Sequence, residues 1–339
     1  MKRFEEENIS NGLPGTRPAT PSFRARLLNP MVRLVVKHWN QGDPPAVVRR
    51  ARRVFGYGGF LDFLHTRGLT LESVNQDGIR GEWVCARPEA NLNNVVLYLH
   101  GGGYVSCSPR THRPVTTALA RLARCRVFAL DYRLAPEHPF PIAVDDAVAA
   151  FQWLLQSDIP AARIAVAGDS AGGGLALAMM LRLREKGTPL PACAVCLSPW
   201  VDLTGASAYR NGRSCAMFKA PDIISFARLY LNGVSAETPE ASPLFADLKG
   251  LPPLLIHASS TELLLEDAVR LHEKATGQGI QSTLHVYPGL PHVWHVFIGT
   301  IPEARQALTE IANFVRNAWD PLQPRAASGD SIMTPAYNV

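Results

Sequence analysis

The feature that most constrains this chain is Gly168-Asp169-Ser170-Ala171-Gly172, set between the apolar run Ile164, Ala165, Val166, Ala167 and a helix-like stretch from Leu175 to Lys186. A G-x-S-x-G between a strand and a helix reads as a tight, strained turn that lifts the serine hydroxyl above a sheet, with glycines leaving room for the bend. A serine alone is a weak nucleophile near neutral pH. It needs a base to take its proton, an acid to orient that base, and donors for the negative charge that develops on a substrate oxygen.

The donors have a candidate in His100-Gly101-Gly102-Gly103, which directly follows the strand-like Val95-Val96-Leu97-Tyr98-Leu99. Consecutive glycines let backbone N–H groups come close to a substrate oxygen. The amides of Gly101, Gly102 and Ala171 are the expected oxyanion hole. Either motif alone occurs by chance in many chains; both together, each after its own strand and in this order, point to acyl chemistry.

With these motifs go the runs Asp131 to Pro141, Leu197-Ser198-Pro199-Trp200-Val201-Asp202-Leu203 and Gly289-Leu290-Pro291-His292-Val293-Trp294. Over residues 66 to 318 the chain resembles the hormone-sensitive lipase family of α/β-hydrolases, in its bacterial family IV esterase branch. The resemblance implies an α/β fold: a mostly parallel central sheet flanked by helices, with a helical cap. It also implies a serine carboxylester hydrolase that works through an acyl-enzyme and needs no metal or organic cofactor. Its triad runs in the order serine, acid, histidine. That order calls for a histidine downstream of the serine, and the resemblance, whose motif aligns on the histidine after the Gly-x-Pro turn, implies His292, on a loop after the strand-like Thr283 to Tyr287, over His295 three residues on. His100 and Gly103 are expected to hold the oxyanion loop. His257 and His285 sit inside apolar strands and read as core or strand histidines.

The acid departs from a common family pattern, Asp-Pro-Leu-x-Asp, because the strand Leu254 to Ala258 here runs into Ser259-Ser260-Thr261-Glu262-Leu263-Leu264-Leu265-Glu266-Asp267. Alignment on the shared leucine puts Glu262 in the acid position. Glu266 and Asp267 are its rivals, one turn along an expected helix from Glu262 to Ala275, where they read otherwise as solvated acids that complement the helix dipole.

Composition fits a soluble enzyme of this kind. The 339 residues are 47% hydrophobic, enough for one large core. No window approaches the roughly 18 uninterrupted apolar residues of a membrane span. The charged opening Met1 to Glu7 lacks the apolar region of a signal peptide, so a cytoplasmic protein is expected. Cys193 and Cys196 form a C-x-x-C that could suggest redox or zinc chemistry, but it lies in an apolar strand without a second ligand pair and reads as two buried thiols. Cys107, close to the oxyanion loop, is a candidate neighbour of the acyl pocket, with a small packing residue as the default reading.

The net charge of +5 is concentrated early: residues 1 to 53 hold eleven Lys and Arg against four Asp and Glu. Arg49, Arg50, Arg52 and Arg53 resemble a polyanion patch, yet without a nucleic-acid motif the simpler reading is a solvated helix face. Apolar Leu27, Leu28, Met31, Val32 and Leu34 among basic residues suit either a membrane surface or a cap. No nucleic-acid partner and no stable membrane insertion are expected, and the chain is expected to be a monomer or homodimer.

The organisation read from this pattern is an N-terminal arm with cap helices over residues 1–60, a hydrolase domain over 61–319 with a second cap segment near 203–236, and a flexible tail over 320–339. A hairpin is expected from Leu69 to Val74 and Ile79 to Ala86 around Asp77-Gly78. The expected reaction is hydrolysis of short- to medium-chain acyl esters, since the cap is short for long chains. The alternatives are a noncatalytic ligand-binding homologue and a lactone, amide or carbamate hydrolase with the same triad.

Overall fold

The alternation of residues 69–86 folds around its turn signal. β1 (Leu69–Gln76) and β2 (Ile79–Ala86) pair antiparallel, and Asp77 and Gly78 both take positive φ, 54° and 78°, as a two-residue turn matched to strand twist requires. The structure, a computed structural model, describes residues 20–36, 44–55, 65–86, 91–211 and 215–320. The expected flexible tail, apart from Asp320, and the first part of the arm lie outside the described residues.

After the hairpin come β3 (Asn91–Leu99), β4 (Cys125–Leu130), β5 (Ile164–Asp169), β6 (Cys193–Leu197), β7 (Leu254–Ser259) and β8 (Ser282–Tyr287). They join one eight-stranded sheet in the order β1-β2-β4-β3-β5-β6-β7-β8, parallel from β4 to β8. The order reverses between β3 and β5, so the carboxyl ends of those two strands diverge into connections on opposite sides. Such a switch point is where open α/β sheets place their ligands. The His100 loop and Ser170 follow β3 and β5 there, with Leu99 and Gly168 in register.

Nine helices accompany the sheet among the described residues: α1 (Phe23–Val36), α2 (Pro44–Phe55), α3 (Arg113–Ala123), α4 (Ile142–Gln156), α5 (Ala171–Glu185), α6 (Ala206–Asn211), α7 (Ala220–Leu231), α8 (Leu265–Gly277) and α9 (Pro302–Trp319). The apolar faces of α3 and α9 bury Val96, Tyr98, Val127 and Leu255 on one side of the sheet. Helices α4, α5 and α8 bury Leu97, Leu99, Val166 and Ile256 on the other. Cys193 and Cys196, three apart on β6, therefore fall in different cores, and burial pushes both thiols up to about 12. They are inert packing residues, as expected.

The segments expected to form a cap divide into buried and exposed faces. On α1, Ala25, Leu28 and Val32 pack with Tyr287, Leu290 and Trp294, while Phe23, Leu27, Met31 and Leu34 face outward. Asn29 Nδ2 donates to the Gly289 carbonyl at 2.7 Å, fastening α1 to the loop that leads to His292, and the Ser22 backbone N–H donates to Glu303 at 2.6 Å, fastening the start of α1 to α9. Arg49, Arg50 and Arg53 are exposed, but Arg52 is not the solvated residue expected. Its guanidinium donates to the carbonyls of Val105 and Ala135, both at 2.8 Å, and to Glu137. In α7, Ile223, Phe226 and Tyr230 belong to the main core, with Tyr230 stacked on Tyr104 at 3.8 Å. No helix among the described residues is long and apolar enough to cross a membrane.

Candidate active site

The turn at Ser170 is held open by its surroundings. β5 ends at Asp169 and α5 begins at Ala171, leaving Ser170 at φ 52°, ψ −120°. A non-glycine residue in such a conformation costs on the order of 1–3 kcal/mol and survives only where neighbours enforce it. Here the Ser170 N–H donates to the Leu197 carbonyl at 2.8 Å, and the Ser170 carbonyl accepts from Trp200 at 2.9 Å and Gly173 at 3.0 Å. A Cβ at Gly172 would run into the Leu99 carbonyl oxygen, so glycine is what allows β3 and α5 to approach.

His292 stands over this serine. Its Nε2 lies 3.0 Å from Ser170 Oγ and its Nδ1 lies 2.7 Å from Glu262 Oε2, with both His292 and Glu262 buried. The carboxylate makes Nδ1 the protonated nitrogen and leaves Nε2 to accept the serine proton. Glu262 Oε1 accepts the Ser259 N–H at 2.8 Å, fixing the carboxylate in a turn ahead of α8. The helix starts at Leu265, not at Glu262 as expected, and this difference frees Glu262 to face the histidine. The Ser259 hydroxyl accepts the Leu290 N–H at 3.0 Å and donates to the Leu290 carbonyl at 2.7 Å, and Thr261 Oγ1 also donates to that carbonyl. Residues beside the acid thus hold the loop that carries the base. The ring of Phe218 meets His292 edge-on at 5.7 Å and supplies an apolar wall.

The rivals occupy other places. His295 Nε2 faces His257 Nδ1 at 3.2 Å instead of the serine. Glu266 is partly exposed on α8. Asp267 is completely buried, contrary to the solvated acid expected, and its Oδ2 accepts the N–H groups of Val201 and Asp202 at 3.1 and 3.0 Å. Burial pushes its carboxyl up to about 7.

The oxyanion loop corrects one expected donor. The Gly101 N–H donates to Asp169 Oδ1 at 3.0 Å and so points into the protein. Gly102 follows at φ 110° and Gly103 at φ 63°, conformations closed to most side chains. Among the described residues the N–H groups of Gly102, Gly103 and Ala171 donate to no carbonyl or side chain; Ala171 is the first residue of α5, where an amide has no intrahelical partner. His100 supports the loop: its Nδ1 donates to the Gly101 carbonyl at 2.7 Å, and its ring stacks on Tyr132, whose hydroxyl donates to the His100 carbonyl at 2.8 Å. Burial lowers the His100 imidazole to about 3, so it is neutral.

Asp169, inside the elbow motif, is the positioning residue that sequence reasoning missed. It is buried and accepts from Tyr98 Oη at 2.7 Å and from Gly101, while His112 Nε2 lies 3.2 Å from its other oxygen. Burial alone would raise the Asp169 carboxyl, but the charge and hydrogen bond of His112 hold it below its ordinary value, and Asp169 in turn raises His112 against burial. This pair ties β3, β5 and the start of α3 beneath the oxyanion loop. Cys107 borders a cleft of about 410 Å³ lined by Arg52, Arg80, Asp131 and Arg133 and by none of the three candidate triad residues. Burial pushes its thiol up to about 12.

A family profile described as the alpha/beta hydrolase fold matches residues 96–296. The crystal structure of an esterase from the bacterial hormone-sensitive lipase family superposes with a TM-score of 0.80 at 41% identity, covering 88% of this chain and 99% of that one. The chain belongs to the hormone-sensitive lipase family of α/β-hydrolases. Within that family it is similar to an acetyl-hydrolase of Streptomyces hygroscopicus, 45% identical over 70% of this chain and 79% of the relative. It is also similar to an esterase of Acinetobacter venetianus, 37% identical over 73% of this chain and 82% of the relative. This hormone-sensitive lipase relative is an ester hydrolase of the carboxylesterase type.

Proposed function

We propose that the chain hydrolyses short- to medium-chain acyl esters through Ser170, His292 and Glu262, with an acyl-enzyme intermediate. The observation that carries this reading is the unbroken hydrogen-bonded line from Glu262 Oε2 to His292 Nδ1 and from His292 Nε2 to Ser170 Oγ, 2.7 and 3.0 Å long. His292 takes the serine proton as Oγ attacks the ester carbonyl. The negative oxygen is received by the N–H groups of Gly102, Gly103 and Ala171, with Gly103 in the place first expected of Gly101. His292 then gives the proton to the leaving alcohol, and water repeats the cycle on the acyl-enzyme. Glu262 keeps the imidazole in the useful tautomer and stabilises its charged form without taking the proton. Each oxyanion donor contributes about 3 kcal/mol of transition-state stabilisation.

The acyl range rests on the short cap proposed for the arm helices and the segment near 203–236, and a relative named acetyl-hydrolase agrees with it. Six free cysteines suit a reducing compartment, and we place the enzyme in the cytoplasm. The test is hydrolysis of p-nitrophenyl esters from acetate to palmitate by the wild type and Ser170→Ala. Rates should peak at short chains and fall by about 10⁶ in the variant. Rates that hold up to palmitate would remove the acyl range, and a variant as active as the wild type would remove the triad.

A further inference from the structure

His257 and His285 occupy register-matched positions on the adjacent strands β7 and β8, and α9 places Glu310 against both. One nitrogen from each histidine and one Glu310 oxygen lie within 4.8 Å of one another. Glu310 Oε2 is 3.1 Å from His285 Nδ1 and 3.8 Å from His257 Nε2. Tetrahedral zinc, with ligands 2.0–2.1 Å away, spaces those ligands roughly 3.3 Å apart. The three groups therefore bracket the required spacing and need only small side-chain movements to meet a cation. Two imidazoles and one carboxylate form a donor set suited to zinc and to similar divalent ions, with a fourth position for water.

Two of the ligands also have partners that would orient them. Tyr287 Oη donates to Glu310 Oε2 at 2.8 Å, and His257 Nδ1 lies 3.2 Å from His295 Nε2. Metal-binding histidines and carboxylates depend on such outer partners for tautomer and direction. Entry is available from one side: the His285 and Glu310 side chains are 21% and 19% exposed, while His257 is fully buried behind them.

We propose that His257, His285 and Glu310 form a binding site for a zinc-class divalent cation on the α9 face of the sheet, separate from the hydrolytic site and linked to it through His295. The bound cation would fasten β7, β8 and α9 together. Metal on His257 Nε2 leaves the proton on Nδ1, where it is donated to His295 Nε2. His295 is stacked on Trp294 at 4.1 Å and follows His292 by three residues, so the cation braces the loop that carries the histidine.

The experiment uses the full chain, freed of metal by a chelator and dialysis. Zinc binding is followed by calorimetry, cobalt binding by its visible spectrum, and thermal unfolding is recorded with and without zinc. The wild type should bind one zinc per chain, give an intense tetrahedral cobalt spectrum and unfold at a higher temperature when loaded. Glu310→Gln and His285→Asn should lose the site and the thermal shift while keeping ester hydrolysis, and Tyr287→Phe should weaken binding by about 10–100-fold. His292→Asn should bind zinc as the wild type does. Absence of stoichiometric binding would overturn the proposal. So would binding that survives both ligand substitutions, or that disappears in His292→Asn, which would assign the ion to the hydrolytic site.

Discussion

Replacing Glu262 by Gln tests the proposed triad more sharply than deleting the side chain. Oε1 accepts the Ser259 N–H at 2.8 Å, and Oε2 faces His292 Nδ1 at 2.7 Å. A glutamine in the same pose must keep its carbonyl oxygen on the Ser259 donor, because its NH₂ there would set two donors face to face. The NH₂ then points at His292 Nδ1 and obliges that nitrogen to accept. The imidazole proton moves to Nε2, 3.0 Å from Ser170 Oγ, and the ring can no longer take the serine proton. Loss of the charge-assisted bond to the imidazolium withdraws about 3 kcal/mol from the transition state, and reversing the wrong tautomer costs about 2 kcal/mol more. A total near 5 kcal/mol corresponds to a fall of about 10⁴ in kcat, the size seen when Asn replaces Asp in the Ser-His-Asp template. The assay is kcat and KM with p-nitrophenyl butyrate, alongside thermal unfolding to establish that the variant is folded. KM should change little, because the lost interaction is made in the transition state. Glu262→Ala leaves the ring free to choose its tautomer and should retain more activity than the glutamine variant. A folded Gln variant within about tenfold of the wild type, or one more active than Ala, would refute the reasoning.

Asp169→Ala leaves the Gly101 N–H and a buried His112 without their acceptor, and urea unfolding should show a loss of about 3–5 kcal/mol together with reduced kcat. Asp267→Ala strips two buried N–H groups of their acceptor and should cost about 3 kcal/mol in the same assay, whereas Glu266→Ala should change neither stability nor turnover. The Asp267 carboxyl is raised from 3.8 to about 7, so its contribution to stability is complete below the ordinary value and is lost as pH rises through about 7; Asp267→Asn should flatten that part of the stability profile. His100 is lowered from 6.5 to about 3, so its contribution is complete above 6.5 and falls as pH drops toward 3. Thermal unfolding across that acid range should be less steep in His100→Asn.

The elbow, the glycine loop, the Asp77-Gly78 hairpin and the alternation of strands with helices were legible in the sequence because each is a short-range matter. A strained turn needs glycines beside its serine, a two-residue hairpin needs residues that tolerate positive φ, and a helix shows its apolar period within a few turns. Local reasoning singled out Ser170, the family resemblance supplied His292 and Glu262, and the structure brings those three together across 122 and 30 residues of chain. Which partner a polar group meets inside the core was a different kind of question. Gly101 looked like an oxyanion donor until the fold set Asp169, 68 residues away, against its N–H. Asp267 looked like a surface acid on a helix until two amides, 65 and 66 residues before it, came within its reach. Arg52 read as one of four solvated arginines until the carbonyls of Val105 and Ala135 appeared beneath it. Chain geometry decides a turn, whereas the partner of a buried donor or acceptor is decided only when distant segments exclude water together, because there every polar group must find a bond within the protein.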